Sequence, residues 1–70
     1  MEENQFGLAV KFDTGYKDLH PIIVELHDVK SMAGKLFHAD NVISTCVYDC
    51  HGTARLYLKK TPDGVHREER

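Results

Sequence analysis

Residues 41–60, NVISTCVYDCHGTARLYLKK, leave few shapes open to the chain. Two runs rich in β-branched, aliphatic and tyrosine residues flank a glycine, which is the composition of a β-hairpin. With His51-Gly52 as a two-residue turn, Cys50 pairs with Thr53, and counting outward sets Val47 against Leu56, Thr45 against Leu58 and Ile43 against Lys60. That face is largely apolar. Because side chains alternate along a strand, the other face receives Val42, Ser44, Cys46, Tyr48 and Cys50 beside Thr53, Arg55, Tyr57 and Lys59. A three-residue loop would instead shift the pairing of one strand against the other.

The chain before the hairpin supplies further elements. In QFGLAVKF, residues 5–12, Phe6, Leu8, Val10 and Phe12 recur at period two, the mark of a strand with one apolar face. Asp13-Thr14-Gly15 ends it with turn chemistry, polar residues continue through Asp18, and His20-Pro21 brings the chain back in extended form. A second strand is expected over Pro21 to His27, with Ile22, Val24 and Leu26 on one face and Ile23, Glu25 and His27 on the other. Pro21, which donates no backbone hydrogen bond, suits a strand start or a sheet edge.

Asp28 then stands where an N-cap belongs, and Val29, Met32, Ala33, Leu36 and Phe37 recur at helical spacing. A helix is predicted over 29–38, its stripe packed on the sheet. Gly34 weakens it by ~1 kcal/mol relative to alanine, and Ala33-Gly34 as a turn would give a small all-β barrel instead. After Lys60 the chain changes to Thr61-Pro62-Asp63-Gly64, and Val65 to Arg70 offers no apolar face to bury, so 61–70 is expected as a flexible tail. The order β-β-α-β-β predicts a single α+β domain over 1–70, a four-stranded antiparallel sheet with one helix.

A domain this short hides only ~60% of the surface its unfolded form exposes, which makes a homodimer an expectation worth testing. The formal charge of −2 gives no global attraction for nucleic acid or anionic membrane. Ile22-Ile23-Val24, the longest aliphatic run, falls far short of the ~18 residues of a membrane span. Two cysteines are too few for a disulfide scaffold, and Met1-Glu2-Glu3-Asn4 lacks the basic start of a signal peptide, so the expected location is the cytoplasm.

Catalytic and metal chemistry find little support. Asp13-Thr14-Gly15 after an apolar strand resembles the active-site motif of retroviral-type aspartic proteases, in which two subunits each supply an aspartate. That family has a small residue where Tyr16 stands, and needs a flap and a later glycine motif that this sequence lacks; ordinary turn chemistry accounts for the three residues. Cys46, Cys50, His51, His38, Asp40 and His27 are zinc-ligand types. Cys46 and Cys50, however, stand about 13 Å apart on one strand at ~3.3 Å per residue, beyond the reach of one ion or of a disulfide. Two free thiols, five histidines without a partner motif and no cofactor are expected. With no phosphate loop or nucleophile elbow either, the chain reads as non-enzymatic.

What remains is the second face of the sheet, which one helix cannot also cover. Tyr48, Arg55, Tyr57 and Lys59 are the expected contact residues there, since tyrosine and arginine most often anchor interfaces. The reading is a small binding protein acting as an inhibitor or accessory regulator through protein–protein contact. An RNA-binding regulator is the alternative, with Arg55, Tyr57 and Lys59 offering cations beside rings. Pro62 with Val65-His66-Arg67-Glu68-Glu69 resembles the end of the carbon-storage-regulator family of small dimeric RNA-binding proteins, which implies an RNA contact for Arg67. The resemblance covers this short segment alone. That family's N-terminal strand pattern is missing, and a helix is expected where the family has strand, so no family is assigned. A third reading, an aspartic-type hydrolase, rests on Asp13 alone.

Overall fold

The period-two stripe of residues 5–12 becomes the second strand of a five-stranded sheet in the computed structural model, which describes residues 5–15, 17–23 and 25–70, with the backbone alone for 19–23. The elements are β1 (Gln5–Phe12), β2 (Lys17–Ile23), α1 (Leu26–Phe37), β3 (Val42–Tyr48), β4 (Ala54–Thr61) and β5 (Gly64–Glu69). Their order in the sheet is β2-β1-β3-β4-β5, with every neighbouring pair antiparallel. The α+β class with one helix follows the patterning of the sequence, and α1 replaces the all-β alternative. The strand count differs: five, where four were expected.

The fifth strand is the segment expected to trail off as a tail. Pro62-Asp63 turns the chain so that Thr61 pairs with Gly64, and pairing runs on to Leu56 with Glu69. Every side chain of β5 is exposed, so the strand is held by its backbone ladder and needs no apolar stripe. One charged contact assists, with Lys30 of the helix 3.3 Å from Glu69, while Arg67, 3.2 Å from the same carboxylate, pairs with it within β5.

Strand β2 starts earlier than expected. Gly15, at φ 88°, closes a tight turn in which its N–H donates to the Phe12 carbonyl at 3.0 Å, so Lys17 pairs with Lys11 at once. Polar Lys17 and Asp18 are tolerated because β2 is an edge strand, and Pro21 lies on that edge. Leu26 and His27, expected at the end of this strand, open the helix instead. The facing expected for Ile22, Ile23 and Val24 lies outside the described residues.

Helix α1 begins at a Glu25 N-cap that makes no side-chain capping bond, and Asp28, expected as the cap, sits in the first turn, where its charge favours the helix N-terminus. Val29, Ala33 and Phe37, four residues apart, are buried. Met32 and Leu36 are 40% and 41% exposed, so the packed stripe is narrower than the apolar one. Beneath it lie Phe6, Leu8 and Val10 of β1, Val42 and Val47 of β3, and Leu56 and Leu58 of β4. Thr45, fully buried in the same layer, donates through Oγ1 to the Ala33 carbonyl at 3.4 Å and so ties helix to central strand. Lys60 Nζ sits 5.4 Å from the centre of the Phe37 ring and donates to the Ala39 carbonyl at 2.7 Å. Among the described residues no helix is long and apolar enough to cross a membrane.

Two bulges adjust the register. Lys11 pairs with Ser44 but Phe12 with Val42, so Ile43 is the extra residue and Val42 turns into the core, opposite to its expected facing. In the β3–β4 hairpin, Val47 faces Leu56 and Thr45 faces Leu58 as counted from the sequence, while the turn differs. A loop of residues 49–53 replaces the two-residue turn, because the Asp49 carboxylate accepts the N–H groups of His51 and Thr53, each at 2.9 Å. A bulge between Val47 and Tyr48 absorbs the difference, and the strands beyond it keep their pairing.

Candidate binding face

Antiparallel register stacks side chains into rows that cross the sheet, and the rows on the side away from α1 differ sharply in chemistry. One row reads Lys17, Lys11, Ser44, Lys59, His66 from β2 to β5. The next carries Ala9, Cys46, Tyr57 and Glu68, and the third Gly7 and Tyr48. With strands ~4.8 Å apart, Lys17 and Lys11 are immediate neighbours, and Lys59 lies about 10 Å beyond Lys11. None of these three lysines forms an ion pair among the described residues, whereas Lys30, Arg55 and Arg67 are each paired.

Between the rows lies a hollow of ≈ 260 Å³, with Lys11, Lys17 and Ser44 at one end and Cys46, Tyr48 and Tyr57 at the other. Burial pushes the Cys46 thiol above its usual range, against a weaker opposing pull from its hydrogen bond with Tyr48. That bond in turn raises Tyr48, which keeps its hydroxyl proton. Thiol and phenol therefore stay neutral at pH 7, and the charge around the hollow belongs to the lysines. A protonated thiol is a poor nucleophile, so Cys46 acts here as a small, polarisable surface. The Tyr57 ring meets His66 edge-on at 6.1 Å, and His66 Nε2 lies 3.1 Å from Glu68.

Compared with known protein families, curated proteins and solved structures, the chain matches none. Its chemistry has to be taken from the residues themselves.

Of the residues expected to make contact, Tyr48, Tyr57 and Lys59 come together on this face. Arg55 is drawn to the hairpin end: it is the residue doubled at the bulge, and its guanidinium lies 3.7 Å from Asp49 and donates from Nε to the Arg70 carbonyl at 3.1 Å. Arg67 lies opposite core residue Leu58, on the helix side, and its guanidinium donates to both Glu69 carboxylate oxygens. Tyr57 and Arg67 thus face opposite sides of the sheet. Asp13 is an exposed turn residue whose N–H donates to the Asn41 carbonyl at 2.9 Å, and Tyr16 lies outside the described residues. Cys46 and Cys50 are free thiols. No cluster of three or more histidine, cysteine or carboxylate side chains forms a metal-binding group among the described residues.

A second hollow, ≈ 350 Å³, runs between α1 and β5 and is lined by Lys30, Gly34, Leu58, Arg67 and Glu69 among others. Its charges already satisfy one another, with Glu69 held below the ordinary carboxylate range by Arg67 and Lys30. The open face differs in having cations without counter-charges among the described residues. Lys11 and Lys17 were missed in the sequence. The odd position of Lys11 in the β1 stripe shows its facing, but Lys17 joins it only once β2 is known to start directly after the turn.

Proposed function

We propose that this chain is a small non-enzymatic binding protein, an inhibitor or accessory regulator, that contacts another protein through the open face of its sheet. The reading is carried by the asymmetry of that sheet: α1 covers one side, while the other presents two tyrosines around a hollow with nothing of the described chain over it. Tyrosine gives large contact area at low entropic cost and anchors interfaces, and one sheet face of a small domain is of the right size for ~800 Å² of contact per partner. Reduced Cys46 and Cys50 suit a cytoplasmic setting. Single-stranded RNA is the competing ligand, favoured by lysines beside tyrosine rings.

Purification of the tagged chain and of its Tyr57→Ala variant, each with and without nuclease, separates the two. A retained protein that survives nuclease and binds the variant more weakly by ~2 kcal/mol or more is the expected result. RNA lost on nuclease treatment would replace this reading with the alternative. Retention unchanged in folded Tyr48→Ala and Tyr57→Ala chains would place the contact elsewhere. A hydrolytic activity abolished by Asp13→Asn in a folded chain would overturn the non-enzymatic reading.

A further inference from the structure

We propose that the segment received by this face is acidic: a stretch of a partner protein that sets an apolar side chain into the hollow over Cys46 and its carboxylates against Lys11, Lys17 and Lys59. The inference rests on the protein-contact reading above and adds the chemistry of the partner.

Folding alone gives no reason for the lysine row. Lys11 and Lys17 stand directly opposite each other, an arrangement that opposes strand pairing, and no acidic side chain of the described residues is paired with either. Native proteins break local rules of this kind at functional sites. The chain is net negative at −2, yet the rows of this face carry three lysines against the single carboxylate of Glu68. A positive patch has therefore been segregated onto the one side that α1 leaves open, next to a hollow whose thiol and phenol are neutral.

Charge also selects the occupant. A second copy placed face to face would bring three more lysines and only its own Glu68 to offset them, so the face is not complementary to itself in charge. A nucleic-acid strand following the tyrosines would run past Glu68, beside Tyr57, and would find that ring already edge-packed on His66. A protein segment can confine its carboxylates to the lysine row and its apolar side chain to the hollow.

Random peptides displayed on phage, selected against the immobilised full chain, test this. Enriched sequences are expected to carry aspartate or glutamate next to an aliphatic or aromatic residue. The synthetic peptide from the most enriched sequence should bind the combined Lys11→Glu, Lys17→Glu and Lys59→Glu variant at least about tenfold more weakly. Lys35→Glu, on the exposed side of α1, should bind it as the wild type does. The matching lysine-to-glutamine variant supplies the same comparison if the reversed chain does not fold, with folding checked by thermal melting. Acidic peptides that bind the folded variant undiminished overturn the inference. Neutral or basic peptides that need Tyr57 leave the protein-contact reading standing and sink this one. Absence of any enriched peptide, or an oligouridylate that displaces the peptides from this face, sinks both.

Discussion

The two sides of the sheet are made by the same strands and obey different rules. On the helix side, Leu8, Thr45, Val47, Leu56 and Leu58 are buried, and each is defined by the shape of its neighbours. On the open side, Lys11, Lys17 and Lys59 form no ion pair among the described residues, and each is defined by chemistry it could offer to something else. Packing thus accounts for the helix side almost completely, and the proposed contact rests on the side it does not account for. The hollow between α1 and β5 sharpens the point: it is larger than the one on the open face, but Lys30, Glu69 and Arg67 have already used its charges on each other.

Substitutions that treat the two sides as equivalent should fail unequally. Phe37→Ala is expected to cost ~3–5 kcal/mol, enough to unfold much of so small a domain, because Phe37 is buried under Lys60 at the end of the packed stripe. Met32→Ala, on the exposed flank of the same helix, should stay within about 0.5 kcal/mol. Chemical denaturation of both variants checks the pair, and equal losses would mean that the buried stripe is wider than Val29, Ala33 and Phe37.

A smaller effect is expected from Thr45→Val, about 1 kcal/mol in the same measurement, since the shape is kept and the bond to the Ala33 carbonyl is lost. Stability unchanged by that substitution would show that packing alone seats the helix. Acid should then loosen the hairpin end. Asp49 is held below the ordinary aspartate value, chiefly by the Thr53 N–H, so its contribution is complete above the unfolded value of about 4 and is lost as pH falls through the lower folded one. Melting curves of the wild type and Asp49→Asn should converge as the pH drops; a gap that persists at low pH would refute the role given to the carboxylate.

The smallest change is the most informative about the open side. Lys17→Glu places a carboxylate opposite Lys11 and should raise stability by ~0.2–1 kcal/mol while weakening the binding of an acidic partner. Stability and binding that fall together would mean that Lys17 serves the fold.

Much of the helix side was legible in the sequence. Period two in residues 5–12, helical spacing after Asp28 and the counting of Val47 against Leu56 are all patterns of apolar residues, and apolar burial is what such patterns record. Three of the failures share one physical origin. Strand β5 is joined through its backbone, the start of β2 through a tight turn at Gly15, and the loop at residues 49–53 through one carboxylate. None of these leaves an apolar periodicity. The candidate face was partly legible: Tyr48, Tyr57 and Lys59 follow from alternation within one hairpin, whereas Lys11 and Lys17 join them only through register across the whole sheet.

The exposed side chains of β5 have a kinetic meaning as well. A strand that buries nothing can detach at far less cost than unfolding the core, so the sheet has a weakly fastened margin and a strongly fastened centre. The Arg70 N–H reaches the Arg55 carbonyl, and alternation then turns the amides of Tyr57 and Lys59 toward β5, while those of Leu56 and Leu58 turn toward β3. In native-state hydrogen exchange the first pair should trade deuterium on the timescale of local opening and the second only on global unfolding. Neighbouring amides of a single strand would then keep two separate clocks, and the peeled edge of β4 would be a backbone template open to another strand for the duration of each opening.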